Sequence, residues 1–286
     1  MTKSRKKYFV CLLCVLLCAG AALCCALRST FTFKITPYEV YSPRLPAAFE
    51  GYKIVQISDL HGAEFGEGNS KLLAAVKAEK PDIIVITGDL ADPNKTEAAY
   101  AFTAGAVTLA PCYFVTGNHE ANFPGIYEQT ASILPAQGVT MLHNETVPLK
   151  RGGDTLWLTG MDDPLTAGAD LSEREAYYTQ TLRPVTAKDG YHILLSHRPE
   201  YMEYYAGAGV DLVFTGHAHG GQLRLPFIGA VYAPNQGFFP AYDGGIYRQN
   251  ATVMVESLGL GCSVIPFRLC CTPEVVTVTL HRGSEP

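Results

Sequence analysis

Cysteines are few in this 286-residue sequence once its N-terminal segment is set aside. Beyond residue 28 only four cysteines occur, and none forms a Cys-x-x-Cys pair, which excludes zinc-finger and thioredoxin-like sites. The other five lie in an apolar N-terminal run, where they act as small hydrophobic residues. A disulfide from Cys270 or Cys271 to a distant partner stays open, since it depends on an oxidising compartment.

The sequence also lacks an excess of basic charge. Its net charge is −5, and the first 28 residues hold five basic and no acidic residues. The remainder therefore carries 17 basic against 27 acidic residues, or −10. An acidic body is a poor electrostatic partner for nucleic acid or anionic lipid, so we expect no nucleic-acid-binding surface. Clustered carboxylates instead suit a site that binds divalent cations.

The N-terminus has the one long apolar run of the chain. Residues 8–27 contain no charged residue, and as a helix they would span ~30 Å, the thickness of the hydrocarbon core of a bilayer. Four of the preceding residues are basic: Lys3, Arg5, Lys6 and Lys7. The positive-inside rule therefore predicts a single-pass anchor in the cell membrane, formed by residues 1–28, with the rest of the chain outside the cytoplasm. A cleaved signal peptide is the alternative, with a weak cleavage site at 22–24.

An extended lead-in is predicted over 29–50, followed by one domain over 51–286 without repeats or low-complexity linkers. In that domain, short apolar runs typical of strands alternate with amphipathic segments. Clear strand patterns are 53–58, 82–87, 112–116, 192–196 and 210–215, and helical patterns are 69–80 and 96–109. This alternation predicts an α/β fold in which helices cover a largely buried sheet.

Polar residues that can bind metals directly follow five of these strands. In open α/β sheets, ligands bind beyond the carboxyl ends of the strands, because the loops there meet at one edge. We therefore expect one shared site, formed by Asp59, His61, Asp89, Asn118, His119, His197, His217 and His219.

The spacing within the motifs supports this interpretation. In an Asp-x-His or His-x-His triplet the first and third side chains lie on the same side of the chain, so both can face one metal pair. Oxygen and imidazole donors suit Mn, Zn or Fe better than Ca or Mg alone. A single strand-terminal Asp is more often a turn or capping residue, and a lone His is more often a structural hydrogen-bonding group. The ordered occurrence of all five motifs is what favours a metal centre.

These motifs resemble those of the calcineurin-like metallophosphoesterase superfamily over roughly residues 50–282. The matching text is DLH at 59–61, GDLAD at 88–92, GNHE at 117–120, the lone His197 and GHAH at 216–219. Three further stretches, HAHGGQ at 217–222, SLGLG at 257–261 and PFR at 266–268, are similar to the YkuE-like branch of bacterial membrane-associated phosphoesterases. The resemblance implies two facing mixed β-sheets flanked by helices, a four-layer sandwich that here follows the N-terminal transmembrane helix.

The resemblance also implies a catalytic domain with two divalent cations, Mn, Zn or Fe, and a role for each motif residue. The first metal would be bound by Asp59, His61 and His219, the second by Asn118, His197 and His217, and both by Asp89. His119 would protonate the leaving oxygen. Asp92 would orient His119, or else cap the following segment. Since no motif ligand is missing, an inactive degenerate copy is disfavoured.

The expected activity is hydrolysis of a phosphodiester or phosphomonoester substrate by a hydroxide that bridges the two metals. Two alternatives remain: a membrane-tethered envelope-binding protein with a structural metal site, and a lipid-linked pyrophosphate hydrolase. Structural sites are usually closed and rich in cysteine, unlike this donor set. Arg198 and Arg224 lie beside the motifs and are as suited to a surface salt bridge as to binding phosphate. The sequence leaves the oligomeric state open.

Overall fold

The N-terminal helix ends against the rest of the protein. The computed structural model describes residues 3–166, 168, 173–183, 185, 188–225, 227–263 and 265–285, and in this helix it describes the side chains of 7–8, 12–17, 20 and 24–31. Helix α1 (Lys3–Phe31) ends with Ser29 buried and with Thr30 Oγ1 accepting a 3.0 Å hydrogen bond from the backbone N of Arg268. Cys25 Sγ lies 3.2 Å from Cys270 Sγ, and the cysteines with described side chains are free thiols.

The predicted transmembrane anchor over residues 1–28 is wrong. Crossing a bilayer takes about 20 consecutive apolar residues within one helix. Among the residues that the structure describes, no helix combines the length and the apolar character needed for a membrane crossing. The predictions that depended on this anchor are wrong for the same reason. They are the single-pass location in the cell membrane, the outward-facing catalytic domain and the membrane as a partner of the N-terminal helix.

Short strands make up much of the remaining chain. In chain order they are β1 (Lys34–Ser42), β2 (Tyr52–Ile57), β3 (Ile83–Thr87), β4 (Cys112–Val115), β5 (Thr140–Met141), β6 (Glu145–Arg151), β7 (Asp154–Gly160), β8 (His192–Leu195), β9 (Leu212–Thr215), β10 (Arg224–Leu225), β11 (Gly229–Ala230), β12 (Tyr232–Ala233), β13 (Gly237–Phe238), β14 (Gly245–Gln249), β15 (Thr252–Glu256) and β16 (Glu274–Arg282).

Helices connect most of the parallel strands. After α1 they are α2 (Ser70–Glu79), α3 (Glu97–Ala106), α4 (Asn118–Asn122), α5 (Pro124–Gln137), α6 (Arg174–Leu182) and α7 (Met202–Gly207). Single turns of 3₁₀-helix lie at Ala47–Phe49, Glu67–Asn69, Pro199–Tyr201 and His219–Gly221.

The strands form two six-stranded mixed sheets. The first has the order β1-β16-β2-β3-β4-β5, with β2 to β5 parallel and β16 antiparallel to β2. The second has the order β14-β15-β9-β8-β7-β6, with β15, β9, β8 and β7 parallel. Two-stranded hairpins β10–β11 and β12–β13 lie outside both sheets.

Burial of both faces explains the apolar character of the central strands. All five residues of β3 are buried, as expected for parallel strands covered on both sides. One apolar cluster contains Val85 and Val115 from the first sheet together with Ile193 and Phe214 from the second, so the sheets face each other. Further clusters pack α2, α3 and α5 on the first sheet and α6 and α7 on the second.

The α/β fold with two facing mixed sheets flanked by helices is therefore confirmed, without the transmembrane helix. The division of the chain at residues 28 and 50 stays a prediction. Within 29–50, strand β1 pairs in parallel with β16 at the edge of the first sheet.

Candidate metal centre

The polar strand ends of both sheets meet at one edge of the sandwich. Strands β2, β3 and β4 are parallel neighbours, so the residues after them lie at the same edge of the first sheet. Strands β8 and β9 do the same in the second sheet. The first sheet supplies Asp59, His61, Asp89 and Asn118, and the second supplies His197, His217 and His219.

One group of donors consists of two carboxylates and two imidazoles, all buried. His61 Nε2 lies 3.1 Å from His219 Nε2, which in turn lies 3.2 Å from Asp59 Oδ1. His61 Nε2 is also 3.6 Å from Asp89 Oδ2. The ligand atoms of these four residues all lie within 4.8 Å of one another, close enough to bind a single cation.

A second group shares Asp89 with the first. His197 Nε2 lies 3.4 Å from Asp89 Oδ2 and 3.2 Å from Asn118 Oδ1. His217 completes this group, again with ligand atoms within 4.8 Å of one another. The predicted site residues are thus brought together in two adjacent groups with one carboxylate between them.

Hydrogen bonds to the imidazoles leave one ring nitrogen of each free to face the cluster. His61 Nδ1 lies 2.8 Å from Asp92 Oδ1, and His197 Nδ1 donates a 2.7 Å hydrogen bond to the carbonyl oxygen of Thr87. His217 Nε2 donates to Asn235 Oδ1 at 2.8 Å, which leaves Nδ1. Metal-binding histidines are commonly fixed in this way by a second partner. The residues present therefore fit a pair of divalent cations.

The backbone of the site is held in an unusual conformation. Five of the donor residues have positive φ angles between 46° and 70°, namely Asp59, His61, Asp89, His217 and His219. Such angles are uncommon outside glycine and concentrate at functional sites, where the surrounding structure maintains them. The neighbouring glycines allow close approach, since a Cβ at Gly117 would lie 2.2 Å from Asp89 Oδ1, and one at Gly216 2.3 Å from Asp59 Oδ2.

The carboxylates stabilise positive charge within the site. Burial lowers the pKa of His197, but the Asp89 carboxylate outweighs it and raises the pKa to about 10. Burial raises the pKa of Asp89, and the surrounding imidazoles, above all His197, bring it well below its ordinary value. By contrast, burial and neighbouring cationic groups lower the pKa of both His217 and His219. The last two rings are therefore neutral near pH 7, as metal ligation requires.

Glu120 organises the loops that carry two of the donors, and the sequence interpretation gave it no role. Its carboxylate is fully buried and accepts hydrogen bonds from the backbone N–H groups of Asp89, Leu90 and Gly117, at 2.7–2.9 Å. The only sequence signal is its place in the motif GNHE, directly after His119.

His119 and Asp92 lie next to the donor groups on the more open side. The His119 side chain is 19% exposed, and its Nε2 lies 4.0 Å from Asp89 Oδ2. Its Nδ1 lies 2.7 Å from Asp92 Oδ1, close enough for an ion pair but without the alignment of a hydrogen bond. Burial lowers the pKa of His119, but Asp92 and Asp89 outweigh it and raise the pKa above its ordinary value.

A cavity of about 300 Å³ opens onto this cluster and is lined by Asp89, Asn118, His119, His217 and His219. Arg174 and Arg198 line it as well, whereas Arg224 lies elsewhere and pairs with Asp243 at 3.1 Å. Arg224 thus forms a salt bridge, the first of the two roles considered for it, and does not line the cavity.

Comparison with known proteins gives a consistent result. The model of the calcineurin-like phosphoesterase family matches residues 52–221, more than half of the chain. The metallophosphoesterase YkuE of Bacillus subtilis is 29% identical over 259 residues, covering 87% of this chain and 86% of its own. A metallophosphoesterase of Aquifex aeolicus is 32% identical over 257 residues, covering 88% and 93%. The phosphodiesterase YaeI of Escherichia coli is 28% identical over 239 residues, covering 80% and 82%.

Proposed function

The chain belongs to the calcineurin-like phosphoesterase family, and from this premise we propose that it hydrolyses phosphate esters with two divalent cations. The observation that carries the proposal is the position of Asp89. One oxygen of its carboxylate, Oδ2, lies 3.6 Å from His61 and 3.4 Å from His197, each the member of a different donor group. A carboxylate shared in this way suits two neighbouring metal ions rather than one.

The division of the ligands follows from the two groups. Asp59, His61 and His219 would bind one cation, Asn118, His197 and His217 the other, and Asp89 both. When bound, such a pair polarises phosphoryl oxygens and lowers the pKa of water at the site. The donor set of oxygen and imidazole groups is compatible with Mn, Zn or Fe.

His119 is suited to donate a proton to the leaving oxygen. The Asp92 carboxylate lies at Nδ1 and favours the protonated ring, which leaves the Nε2–H directed away from Asp92. Because His119 lines the cavity and is partly exposed, a bound ester can come within reach of this proton. General-acid catalysis of this type contributes about 10²–10⁴-fold to a rate.

We propose a phosphodiester as the preferred substrate over a phosphomonoester. The E. coli relative is named a phosphodiesterase, which supports this choice. One of the two alternatives, a binding protein with a purely structural metal site, does not account for the cavity beside the donor groups or for the partly exposed His119.

The direct test is turnover of bis-p-nitrophenyl phosphate and p-nitrophenyl phosphate by the full chain supplied with Mn²⁺, Zn²⁺ or Fe²⁺. We expect hydrolysis of the diester, loss of activity on chelation and recovery when the metal is restored. The matched control is Asp243→Asn, which changes a carboxylate outside the cavity. A protein that carries two metal ions and turns over neither ester would contradict the proposal and favour the binding role.

A further inference from the structure

Arg174 lines the same cavity as the donor groups with a guanidinium that lacks a described partner. The residue is only 6% exposed, and its Nε is buried without a hydrogen bond. Within the part of the chain that the structure describes, it forms neither a hydrogen bond nor an ion pair. The same cavity wall contains Asp89, His119 and His217, so the group lies beside the proposed reaction site.

The position of Arg174 is unfavourable for a cation in the protein alone. Burying a charge without a compensating partner is strongly destabilising. Arg174 is also the first residue of α6, and the N-terminus of a helix carries partial positive charge that disfavours another cation. Neither the packing of the apolar core nor the stability of the helix explains an arginine here. An anion bound in the cavity would offset both costs.

Arg198 shows what a compensated arginine looks like in the same cavity. It is 2% exposed, and its Nε and Nη2 bond the two carboxylate oxygens of Asp163 at 2.5 and 3.2 Å. Its Nη1 donates to Asn235 Oδ1 at 2.9 Å, the same oxygen that accepts from His217. Arg198 therefore acts through Asn235 to hold His217, and its charge is already balanced.

We infer that Arg174 binds an anionic phosphate oxygen of the substrate, in addition to the contacts that cations at the donor groups would make. This inference rests on the proposed function and names a specificity residue for it. A guanidinium offers two parallel N–H donors that match a phosphate group, and it stays charged at any physiological pH. The site therefore selects substrates that keep a negative charge on a phosphoryl group while bound.

The test measures binding of inorganic phosphate to the Mn²⁺-loaded full chain by titration calorimetry. We expect Arg174→Gln to weaken phosphate binding about 10-fold or more, because it removes hydrogen bonds from a charged donor. Arg174→Lys should weaken phosphate binding less. The matched control is Arg248→Gln, because Arg248 is exposed and its ion pair among the described residues is with exposed Glu285. The melting temperature of Arg174→Gln without phosphate should equal or exceed that of the wild type, since no described contact is lost.

Two substrates identify the oxygen that Arg174 binds. If it is part of the scissile phosphoryl group, kcat/KM in Arg174→Gln falls equally for bis-p-nitrophenyl phosphate and for a diphosphate diester. If it belongs to a second phosphate group, only the diphosphate substrate is affected. Either result supports the inference.

Other results contradict it and are separable from failure of the proposed function. Wild-type phosphate affinity in Arg174→Gln, together with unchanged kcat/KM for both substrates, would overturn the role of Arg174 alone. Failure of Arg174→Gln to fold would also overturn it, because an unpartnered guanidinium has no structural role to lose. Absence of ester turnover by the wild-type chain contradicts the proposed function instead.

Discussion

Asp92 contacts His119 through a single oxygen, with Oδ1 2.7 Å from Nδ1 of the ring. The same oxygen lies 2.8 Å from Nδ1 of His61, so one carboxylate supports a proposed acid and a proposed metal ligand. Burial raises the pKa of Asp92, but the two imidazoles outweigh it and lower the pKa below its ordinary value. Asp92 is thus ionised near neutral pH and favours a proton on the His119 ring.

Replacing His119 with alanine should leave both metals bound and slow the chemistry. His119 is not in either group that contains Asp89, so metal content measured by plasma mass spectrometry should stay at the wild-type value. We expect kcat on an alkyl phosphodiester to fall about 10²–10⁴-fold, with a smaller loss on p-nitrophenyl esters, whose leaving group needs no proton. Equal activity of this variant and the wild type on the alkyl ester would exclude His119 as the acid.

Asp92→Asn serves as the companion variant, because it removes the charge beside both imidazoles and keeps the shape. We expect a loss of about 10–100-fold in metal affinity or activity, the usual effect of removing a supporting carboxylate.

Replacing Asp89 with alanine should lower metal content and rate together. One carboxylate faces both donor groups, so its loss removes a ligand from each cation. Metal analysis should give fewer than two ions per chain at metal concentrations that saturate the wild type, with Asp243→Asn as the unaffected control. Two tightly bound ions in Asp89→Ala would refute the bridging position.

Replacing Arg268 with methionine should destabilise the protein without removing an ion pair. Arg268 is fully buried and donates hydrogen bonds to the carbonyl oxygens of Gly261, Leu258 and His219. Methionine fills much of the space but leaves the buried carbonyl oxygens of Gly261 and Leu258 without a donor, each worth about 1–3 kcal/mol. The carbonyl oxygen of His219 still accepts a hydrogen bond from the backbone N of Gln222. We expect the free energy of unfolding in urea to fall by about 2 kcal/mol or more. The exposed Arg248→Met should change it by less than about 0.5 kcal/mol, and a similar small effect at Arg268 would contradict the assignment.

His281 should make the stability of the β1–β16 pair depend on pH. Its Nδ1 lies 2.7 Å from Glu50 and its Nε2 2.6 Å from Glu39, and these carboxylates raise its pKa despite slight burial. A folded-state pKa above the unfolded value of ~6.5 adds stability at low pH, and this contribution is lost as pH rises through the folded pKa. The stability difference between wild type and His281→Gln, measured in urea, should therefore shrink between pH 6 and pH 9. Parallel pH profiles for the two proteins would show that the contacts do not influence folding.

Much of the site could be predicted because its residues follow recognisable strands. The apolar run at 112–116 predicted β4, which the structure places at Cys112–Val115, and the run at 82–87 predicted β3. Once strands are parallel neighbours, their carboxyl ends share an edge, so the clustering of Asp89 with Asn118 follows from local pattern and a general rule. The positive φ angles of Asp59 and His61 were not predictable, because neither residue is a glycine, the residue type that usually signals such angles.

Other features depend on contacts between distant parts of the chain. Arg174 lies far in sequence from every motif, and only the packing of α6 on the second sheet brings it to the cavity. Glu120 is acidic and adjacent to His119, but its burial beneath the Asp89 loop has no periodic signature. The apolar N-terminal run is the opposite case: its composition predicted a membrane span, but no helix among the described residues is long and apolar enough to cross a membrane.

The origin of the donors in both sheets has a mechanical consequence. Cations bound by Asp59, Asp89 and Asn118 on one side and by His197, His217 and His219 on the other would cross-link the two halves of the sandwich. A ligand that binds only the folded chain stabilises it, and more so the tighter it binds, so the ions that serve catalysis would also hold the two halves together. Stripping them would then loosen the molecule along the plane between its sheets.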